Sequence, residues 1–337
     1  MPEEINHIDS TDNPLDEKKF QLLKNGLYNR VGISYIDFKK TLKPNYTRVW
    51  ADIILGWAGI FIMLTGSWLL LKHGNLIFKF IIFFTSTVLI GYMIAYLVNF
   101  FHEAAHYNIS DNKETNDRLA NLLIGILIGQ GIKNYRIVHW QHHAALGTTN
   151  DTERSYFESL DLRFLFFSLT GISALSFFLK RNEFVSTNKK DPGTILKKEK
   201  YSQLFISLVF HIALLSLMLL FKKYWLVIIW VMAVGCFYPF FNRLRQLIEH
   251  RSDNADKKIN YAKTDHGKLT RIFGNSLFDK SFGSAGFNKH MLHHLEPAIS
   301  YTRLNELEKF LRETSLGEVV IKQRSSYIDI FKRLLNK

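Results

Sequence analysis

The sequence Phe100-Phe101-His102-Glu103-Ala104-Ala105-His106 stands at the point where a long apolar run, residues 80–101, gives way to polar residues. On a helix, residues three and four apart share a face, so the two imidazoles would point in one direction. Two later segments repeat this pattern, HWQHH at 139–143 and HMLHH at 290–294. Eight of the thirteen histidines therefore fall in three five-residue windows, which indicates a common site formed by three helix faces.

These clustered histidines predict a metal site. Imidazole nitrogen suits zinc, copper, iron and nickel, and eight such ligands are too many for one ion of coordination number four to six. The sequence therefore predicts two metal ions close together. The predicted ligands are His102, His106, His139, His142, His143, His290, His293 and His294.

The apolar residues occur in blocks, and four of the blocks have the length that crosses a bilayer. Residues 53–71, 80–101, 202–221 and 224–241 each contain about the 20 residues that a transmembrane helix needs. Short polar connections, such as Lys222-Lys223, join the first block to the second and the third to the fourth. The fold class predicted is an all-α integral membrane protein with four transmembrane helices in two hairpins, and with a cytosolic helical cap that carries the histidine clusters.

The remaining segments follow from this arrangement. Basic residues precede the first and third spans, so by the positive-inside rule both termini and the histidine clusters are expected in the cytoplasm. The first residues lack an apolar stretch, so no cleavable signal peptide is expected. We predict a cytosolic lead-in at 1–50, a membrane domain at 51–305 and a cytosolic tail at 306–337 made of amphipathic helices.

Two further apolar blocks do not fit as spans. Residues 119–132 are too few to cross with ease and predict an interfacial or buried helix. Residues 162–179 are long enough to cross, but a crossing there would put the third histidine cluster on the opposite side of the membrane from the first two. We therefore expect 162–179 to lie in the interface or on the cytosolic part.

The composition excludes several classes of protein. The net charge of +13 comes from basic residues beside the apolar blocks and not from an aromatic-interleaved recognition patch, so nucleic-acid binding is not expected. The single cysteine, Cys236, excludes disulfides within the chain and leaves no ligand set for cysteine-bound zinc or iron–sulfur clusters.

The other histidines separate by position. His250 follows the fourth apolar block, at the depth expected for His102, and is predicted to be a ninth ligand. His211 lies within the third block and is expected to pack against another helix. His7, His73 and His266 are expected to be exposed.

Two alternative metal chemistries remain. The segment 102–106 matches the HExxH pattern of zinc peptidases, in which Glu103 would act as the general base. That interpretation leaves six clustered histidines without a role. A measured metal content of one zinc per chain would favour it. Glu103 and His106 also form one Glu-x-x-His pair of the kind found in ferritin-like di-iron bundles, but those need two copies and the sequence contains no second.

Over residues 50–305 the sequence resembles the membrane fatty-acid desaturase/hydroxylase superfamily. The resemblance lies in a HxxxH box that closes a transmembrane hairpin, a HxxHH box some thirty residues later, a second hairpin, and a final HxxHH box within Asn288–Pro297. It implies a non-haem di-iron centre with two iron ions, for which His250 matches an additional ligand of the family. Some members carry an asparagine one turn before that histidine, where this chain has Gln246.

The resemblance also implies the reaction. An O2-dependent oxidase of this kind would introduce a double bond into a fatty acyl chain or related lipid, and lipid hydroxylation on the same site is the alternative. The substrate would be a lipid or an acyl thioester, and a separate ferredoxin or cytochrome b5 would supply electrons. A bacterial plasma membrane is the expected location. Glu103, Asp151, Glu249 and Glu296 adjoin or follow the predicted ligands, and with Gln246 they are the residues expected to orient the ligand rings.

Overall fold

A computed structural model describes residues 15–173, 175–176 and 194–336, and within them the chain is helical, with two isolated β-bridges and no strand. The all-α prediction is therefore confirmed. In chain order the helices are α1 (Glu17–Leu23), α2 (Tyr35–Thr41), α3 (Tyr46–Leu70), α4 (Leu76–Ala105), α5 (Lys113–Ala120), α6 (Ile132–Ala145), α7 (Leu162–Leu169), α8 (Thr194–Leu220), α9 (Tyr224–His250), α10 (Leu277–Phe282), α11 (His290–Leu295), α12 (Leu304–Arg312), α13 (Gly317–Lys322) and α14 (Tyr327–Leu335).

Four of these helices, α3, α4, α8 and α9, are long and apolar enough to cross a membrane. They overlap the four predicted spans, so the number of candidate spans is confirmed. α4 continues to Ala105 and α9 to His250, because backbone hydrogen bonding does not stop where the side chains become polar. Both helices thus carry histidines in their last turns.

Consecutive membrane helices contact each other closely. Gly56 of α3 lies so near α4 that a Cβ atom there would come within 2.6 Å of Leu97, and this close approach requires glycine. In the second pair, Trp230 of α9 donates a hydrogen bond from Nε1 to Nδ1 of His211 on α8 at 3.0 Å. The predicted helix-packing role of His211 is confirmed.

The block at 119–132 is mainly helical and packs beside the candidate spans. α5 continues through a π-helical turn, Asn121–Gly125, and a short helix, Ile126–Ile128. The carbonyl oxygen of Leu123 accepts a hydrogen bond from Trp57 Nε1 of α3 at 3.1 Å. Gly129 ends this segment with a φ of 64°, a left-handed conformation that favours glycine, and the chain then turns into α6.

The block at 162–179 contains the short helix α7 and further helical residues at 172–173 and 175–176. α7 begins after Asp161, whose side chain accepts from the N–H of Phe164, and ends at Leu169. Gly171 follows with a φ of 76°. Residues 174 and 177–179 lie outside the described residues, and the interfacial placement of the block remains a prediction.

A second hydrophobic core joins the N-terminal lead-in to the C-terminal tail. Phe20 of α1 and Tyr35 of α2 are fully buried against α12 and α13. Tyr35 and Phe38 both lie against the ring of Phe310, and Phe38 is stacked on it with the ring centroids 4.2 Å apart. The tail helices α12 and α14 are amphipathic, as predicted. The apolar faces of α12 and α13 pack over the histidine-bearing segment α11 through Leu292 and Leu295.

Candidate metal centre

The helix ends bring the histidine clusters together. α4 carries His102 in its last turn and His106 at its C-cap, and α9 ends at His250. The second and third clusters lie on α6 and α11. The nine predicted ligands are all at least 93% buried.

The nine histidines form two groups. In each group every residue offers one ring nitrogen, and these nitrogens lie within 4.8 Å of one another. The first group is His102, His106, His139, His143 and His293, and the second is His142, His250, His290 and His294. All nine residues that the sequence nominated are therefore placed in one of two adjacent clusters, and among the described residues these are the two groups able to hold a metal.

The HxxHH pattern divides its histidines between the groups in the same way on both helices. On α6, His139 and His143 belong to the first group and His142 to the second. On α11, His290 and His294 belong to the second group and His293 to the first. With about 100° of rotation per residue, positions i and i+4 differ by about 40°, whereas i+3 lies about 60° to the other side. The i and i+4 imidazoles therefore share one group, and the i+3 imidazole reaches the other.

The distances between ring nitrogens match those of ligands on one ion. In the first group, His139 Nε2 is 2.9 Å from His106 Nε2 and 3.0 Å from His143 Nε2. In the second, His290 Nε2 is 2.9 Å from His250 Nε2 and 3.0 Å from His294 Nε2. Two imidazoles at right angles on an ion, each with a metal–nitrogen distance of about 2.1 Å, stand about 3.0 Å apart.

Several ring nitrogens have no hydrogen-bond partner although they are buried. These include Nε2 of His142 and both ring nitrogens of His102. A buried polar nitrogen without a partner costs about 1–3 kcal/mol, and a metal ion in each group would give these nitrogens a ligand role. The donor set, all imidazole, suits iron among other first-row metals. The residues present therefore fit the metal centre that the sequence predicted.

Two carboxylates orient the ligand rings from behind. Asp151 Oδ1 lies 2.8 Å from His142 Nδ1, and Glu153 Oε1 lies 3.1 Å from His139 Nδ1. Each carboxylate accepts the Nδ1 proton and leaves Nε2 free to bind a metal. The carbonyl oxygen of Leu269 does the same for His250 Nδ1 at 2.9 Å. One carboxylate therefore serves each group.

Asp151 is held in turn by its own partners. Its Oδ2 accepts hydrogen bonds from the hydroxyl of Tyr156 and, at 3.3 Å, from the N–H of Gly147. Its Oδ1 also accepts from the N–H of Glu153 at 2.8 Å. Gly147 has a φ of 75° and lies against Gly267, so this turn depends on glycine. These bonds fix the carboxylate that holds His142.

The sequence predicted Asp151 but missed Glu153. Gln246 donates a hydrogen bond from Nε2 to Glu153 Oε2, so the predicted contribution of Gln246 reaches His139 through Glu153. The sequence did contain a signal for Glu153, because this residue lies only two positions after Asp151 in the turn that follows α6.

The other three predicted ring-orienting carboxylates bond to partners other than histidine among the described residues. Glu103 accepts from the N–H of Tyr301 at 3.2 Å. Glu249 binds Arg245 and Tyr327, and Glu296 binds Lys39 at 2.5 Å. Glu103 and Glu249 adjoin a ligand on a helix and therefore point about 100° away from it.

Burial keeps most of the imidazoles neutral. Burial, together with neighbouring imidazoles, places the pKa of His143, His293 and His294 well below the usual value, and the neutral form is the one that binds metals. Burial also lowers the pKa of His142, but Asp151 and Glu153 outweigh it and raise this pKa to about 9. Burial would raise the pKa of Glu153, but His142 and His139 hold it well below the usual range.

Two arginines cap the helices that end at the site. Arg136 of α6 donates to the carbonyl oxygens of Ala105 at 2.8 Å and Ala104 at 3.1 Å, at the end of α4. Arg271 donates to the carbonyl oxygen of Ile248 at 2.8 Å, at the end of α9. A cation is favourable at a helix C-terminus, where the last carbonyls lack partners. These caps fix the turns that carry His102 and His250.

The histidines outside the groups have other surroundings. His73 is exposed, as predicted, and His7 lies outside the described residues. The prediction that His266 is exposed is wrong. Its ring is half-buried against Tyr156 and Tyr261 and accepts a hydrogen bond from the N–H of Ser252, because the loop 251–267 folds back onto the turn at Gly147.

Comparison with known proteins gives one family. A family model described as "Fatty acid desaturase" matches residues 78–325, which is more than half of the chain and contains all nine histidines. The comparison with curated proteins found no match. The family match and the division of the histidines into two groups leave the HExxH peptidase reading without support, and the side chain of Glu103 bonds to Tyr301 instead.

Proposed function

Because the chain belongs to the fatty acid desaturase family, and so to the oxidoreductases that act on fatty acids, we propose that it is an O2-dependent oxidase that introduces a double bond into a fatty acyl chain or a related lipid. The observation that carries this proposal is the pair of histidine groups on the ends of candidate membrane helices. An all-histidine site at a membrane surface suits the oxidation of a chain that lies in the bilayer.

The metal content that we propose is two iron ions, one in each histidine group. The nine histidines named above would be the ligands, five for one ion and four for the other. Iron bound there supplies the activation of dioxygen that is needed to remove hydrogen from an unactivated C–H bond. In desaturation, one –CH2–CH2– unit, one O2, two electrons and two protons give one –CH=CH– unit and two waters.

The surrounding residues would hold the ligands in place. Asp151 and Glu153 keep the His142 and His139 rings in the tautomer that presents Nε2, and Arg136 and Arg271 fix the helix ends. Nearly complete burial excludes bulk water from the rings. This arrangement lets the site bind metal without rearrangement of the ligands.

We propose that the four spans form two hairpins, with the histidine groups and both termini in the cytoplasm. Parity supports this, because α4 and α9 are the second and fourth candidate spans and both have their C-terminal ends at the site. The protein would then be a multi-pass protein in the plasma membrane of a bacterium, with a cytosolic helical cap over its membrane spans. Electrons would come from a separate ferredoxin or cytochrome b5.

The test is expression in a host of known lipid composition, followed by mass-spectrometric profiling of its lipids. We expect a new double bond with the wild-type protein and none with His143→Ala, because His143 belongs to the first group. His73→Ala, an exposed histidine away from the site, is the matched control and should act like the wild type. A new hydroxyl group in the lipids would show that the reaction is hydroxylation and not desaturation. An unchanged lipid profile would refute the proposal. Activity retained in His143→Ala would refute the site.

A further inference from the structure

Three of the ligand rings are held by a hydrogen bond at Nδ1, as described above, but four others are not. In each of these four, Nδ1 is buried and has no hydrogen-bond partner. They are His102, His106, His143 and His290. A ligand ring binds a metal best when its orientation is already fixed, so packing against neighbouring side chains has to fix these four rings.

One phenylalanine ring contacts two of these four histidines, and the two belong to different groups. The centroid of the Phe287 ring lies 4.4 Å from that of His102 and 4.8 Å from that of His290, on which it is stacked. His102 belongs to the first group and His290 to the second. The other two of the four lie against Trp140 and belong to the first group. Among the described residues, Phe287 is therefore the ring other than histidine that contacts both groups.

A buried cation holds the Phe287 ring in place. The guanidinium of Arg245 on α9 lies over the ring, 3.6 Å from its centroid, where a cation is attracted to the aromatic face. Arg245 is nearly fully buried, and its Nη1 donates a hydrogen bond to Glu249 Oε2 at 2.6 Å. Glu249 Oε1 in turn accepts from the hydroxyl of Tyr327 at 3.1 Å. These contacts tie the aromatic ring to α9 and to the tail helix α14.

The turn that precedes the ring is strained and is pinned to α4. Ala285 has a φ of 52°, a left-handed conformation that is unfavourable for a residue with a Cβ atom. The hydroxyl of Ser284 donates to the carbonyl oxygen of Tyr96 at 3.1 Å and accepts from Asn99 Nδ2 at 2.8 Å. Both of these α4 residues precede His102 on the same helix. Strain of this kind persists where the surrounding structure requires it, and here the turn sets the aromatic ring beside the ligands.

We propose that Phe287 is a positioning residue for both metals. Its ring fixes one ligand of each group by packing, whereas carboxylates fix His139 and His142 by hydrogen bonding. The inference rests on the pair of metals in the proposed function. A carboxylate on Nδ1 also makes a ligand more basic, and an aromatic ring orients His102 and His290 without that change. Because one side chain serves both groups, its loss should weaken both metals at once.

The test measures binding of Co²⁺ to the metal-free protein, so it needs neither lipid nor dioxygen. Phe287→Leu removes the planar ring and keeps an apolar side chain. An aromatic pair contributes roughly 2–10-fold to an equilibrium constant, so the affinity for Co²⁺ should fall by about that factor at both groups. The visible absorption of both bound ions should change as well. Phe282→Leu is the matched control, because Phe282 is a buried phenylalanine whose ring contacts no histidine among the described residues, and it should leave the affinities and the absorption as in the wild type.

Ser284→Ala is a milder second variant, for the case in which Phe287→Leu does not fold. It removes the hydroxyl that pins the turn and should weaken Co²⁺ binding at both groups in the same direction. The proposal is overturned if both variants bind two Co²⁺ with wild-type affinity, if the loss falls on one group alone, or if Phe282→Leu produces the same loss. Wild-type protein that binds no Co²⁺ would overturn this inference together with the proposed function. Wild-type protein that binds two Co²⁺ but oxidises no lipid when it is loaded with iron would contradict the proposed function alone.

Discussion

The contact between Asp151 and His142 gives the most specific prediction about the metal centre. Asp151→Asn keeps the size of the side chain but replaces one carboxylate oxygen with an NH2 group. Asp151 accepts from His142 on one oxygen and from Gly147 N–H on the other, so an amide in either orientation turns its NH2 toward one of these donors. His142 would lose its anchor, or the turn at Gly147 would lose its bond.

The expected size follows from the burial of this pair. Both side chains are fully buried and the distance is 2.8 Å. A hydrogen bond to a charged group contributes about 1.5–3 kcal/mol, which corresponds to roughly 10–100-fold in metal affinity, the range seen when partners behind a ligand are lost. The loss should fall on the four-histidine group, to which His142 belongs. We therefore expect one weakly held iron and one iron held as in the wild type.

The assay is iron content per chain after dialysis against a graded series of chelator concentrations. The wild-type protein should lose its iron only at high chelator, and Asp151→Asn should lose about half of it at a concentration 10–100-fold lower. Asp279→Asn is the control, because Asp279 is a nearly buried carboxylate that caps α10 and contacts no histidine among the described residues. If Asp151→Asn retained both irons at wild-type chelator concentrations, the anchoring role of this carboxylate would be refuted.

Three further measurements test the same structure. Removing the metals should lower the midpoint of thermal unfolding, because nine buried imidazoles lose their ligand role; an unchanged midpoint would contradict a metal in these groups. Asp151 and Glu153 raise the pKa of His142 to about 9 when no metal is bound, so below that pH a proton must leave this ring before the metal binds. The affinity for Co²⁺ at the four-histidine group should therefore fall about tenfold for each pH unit from pH 9 to pH 7. An affinity that does not change with pH would contradict this. Arg136→Ala removes the cap on α4 and leaves Asp117 without its nearly buried partner. Chemical denaturation should therefore show that the free energy of unfolding falls by about 3–5 kcal/mol. Arg118→Ala, which breaks an exposed ion pair, should lower it by at most about 1 kcal/mol.

The histidine groups could be predicted from the sequence because a helix converts spacing into direction. His102 and His106, or His139 and His143, share a face on any helix, and the order of the apolar blocks predicts which helix ends meet. Nothing in that argument depends on how the helices pack. The same argument extended to His250, which follows the fourth block at the depth of His102 and is placed in the second group.

The partners behind the ligands could not be predicted in this way. Glu153 reaches His139 because the turn after α6 folds back along the helix, and Leu269 reaches His250 through a backbone carbonyl, which any residue could supply. Proximity in sequence was misleading for Glu103 and Glu249, since neighbours on a helix diverge by about 100°. Ring-orienting contacts are made by turns and loops, whose paths depend on tertiary packing and not on local periodicity.

The HxxHH pattern explains why the two groups form a single unit. α6 gives two imidazoles to the first group and one to the second, and α11 gives one to the first and two to the second. Each of these helices would therefore supply ligands to both proposed ions, so both groups depend on the placement of the same two helices. The HxxxH pair on α4 has alanine and not histidine at i+3, and both of its histidines belong to the first group. The histidines at i+3, His142 on α6 and His293 on α11, are thus the residues that join the two groups into one centre.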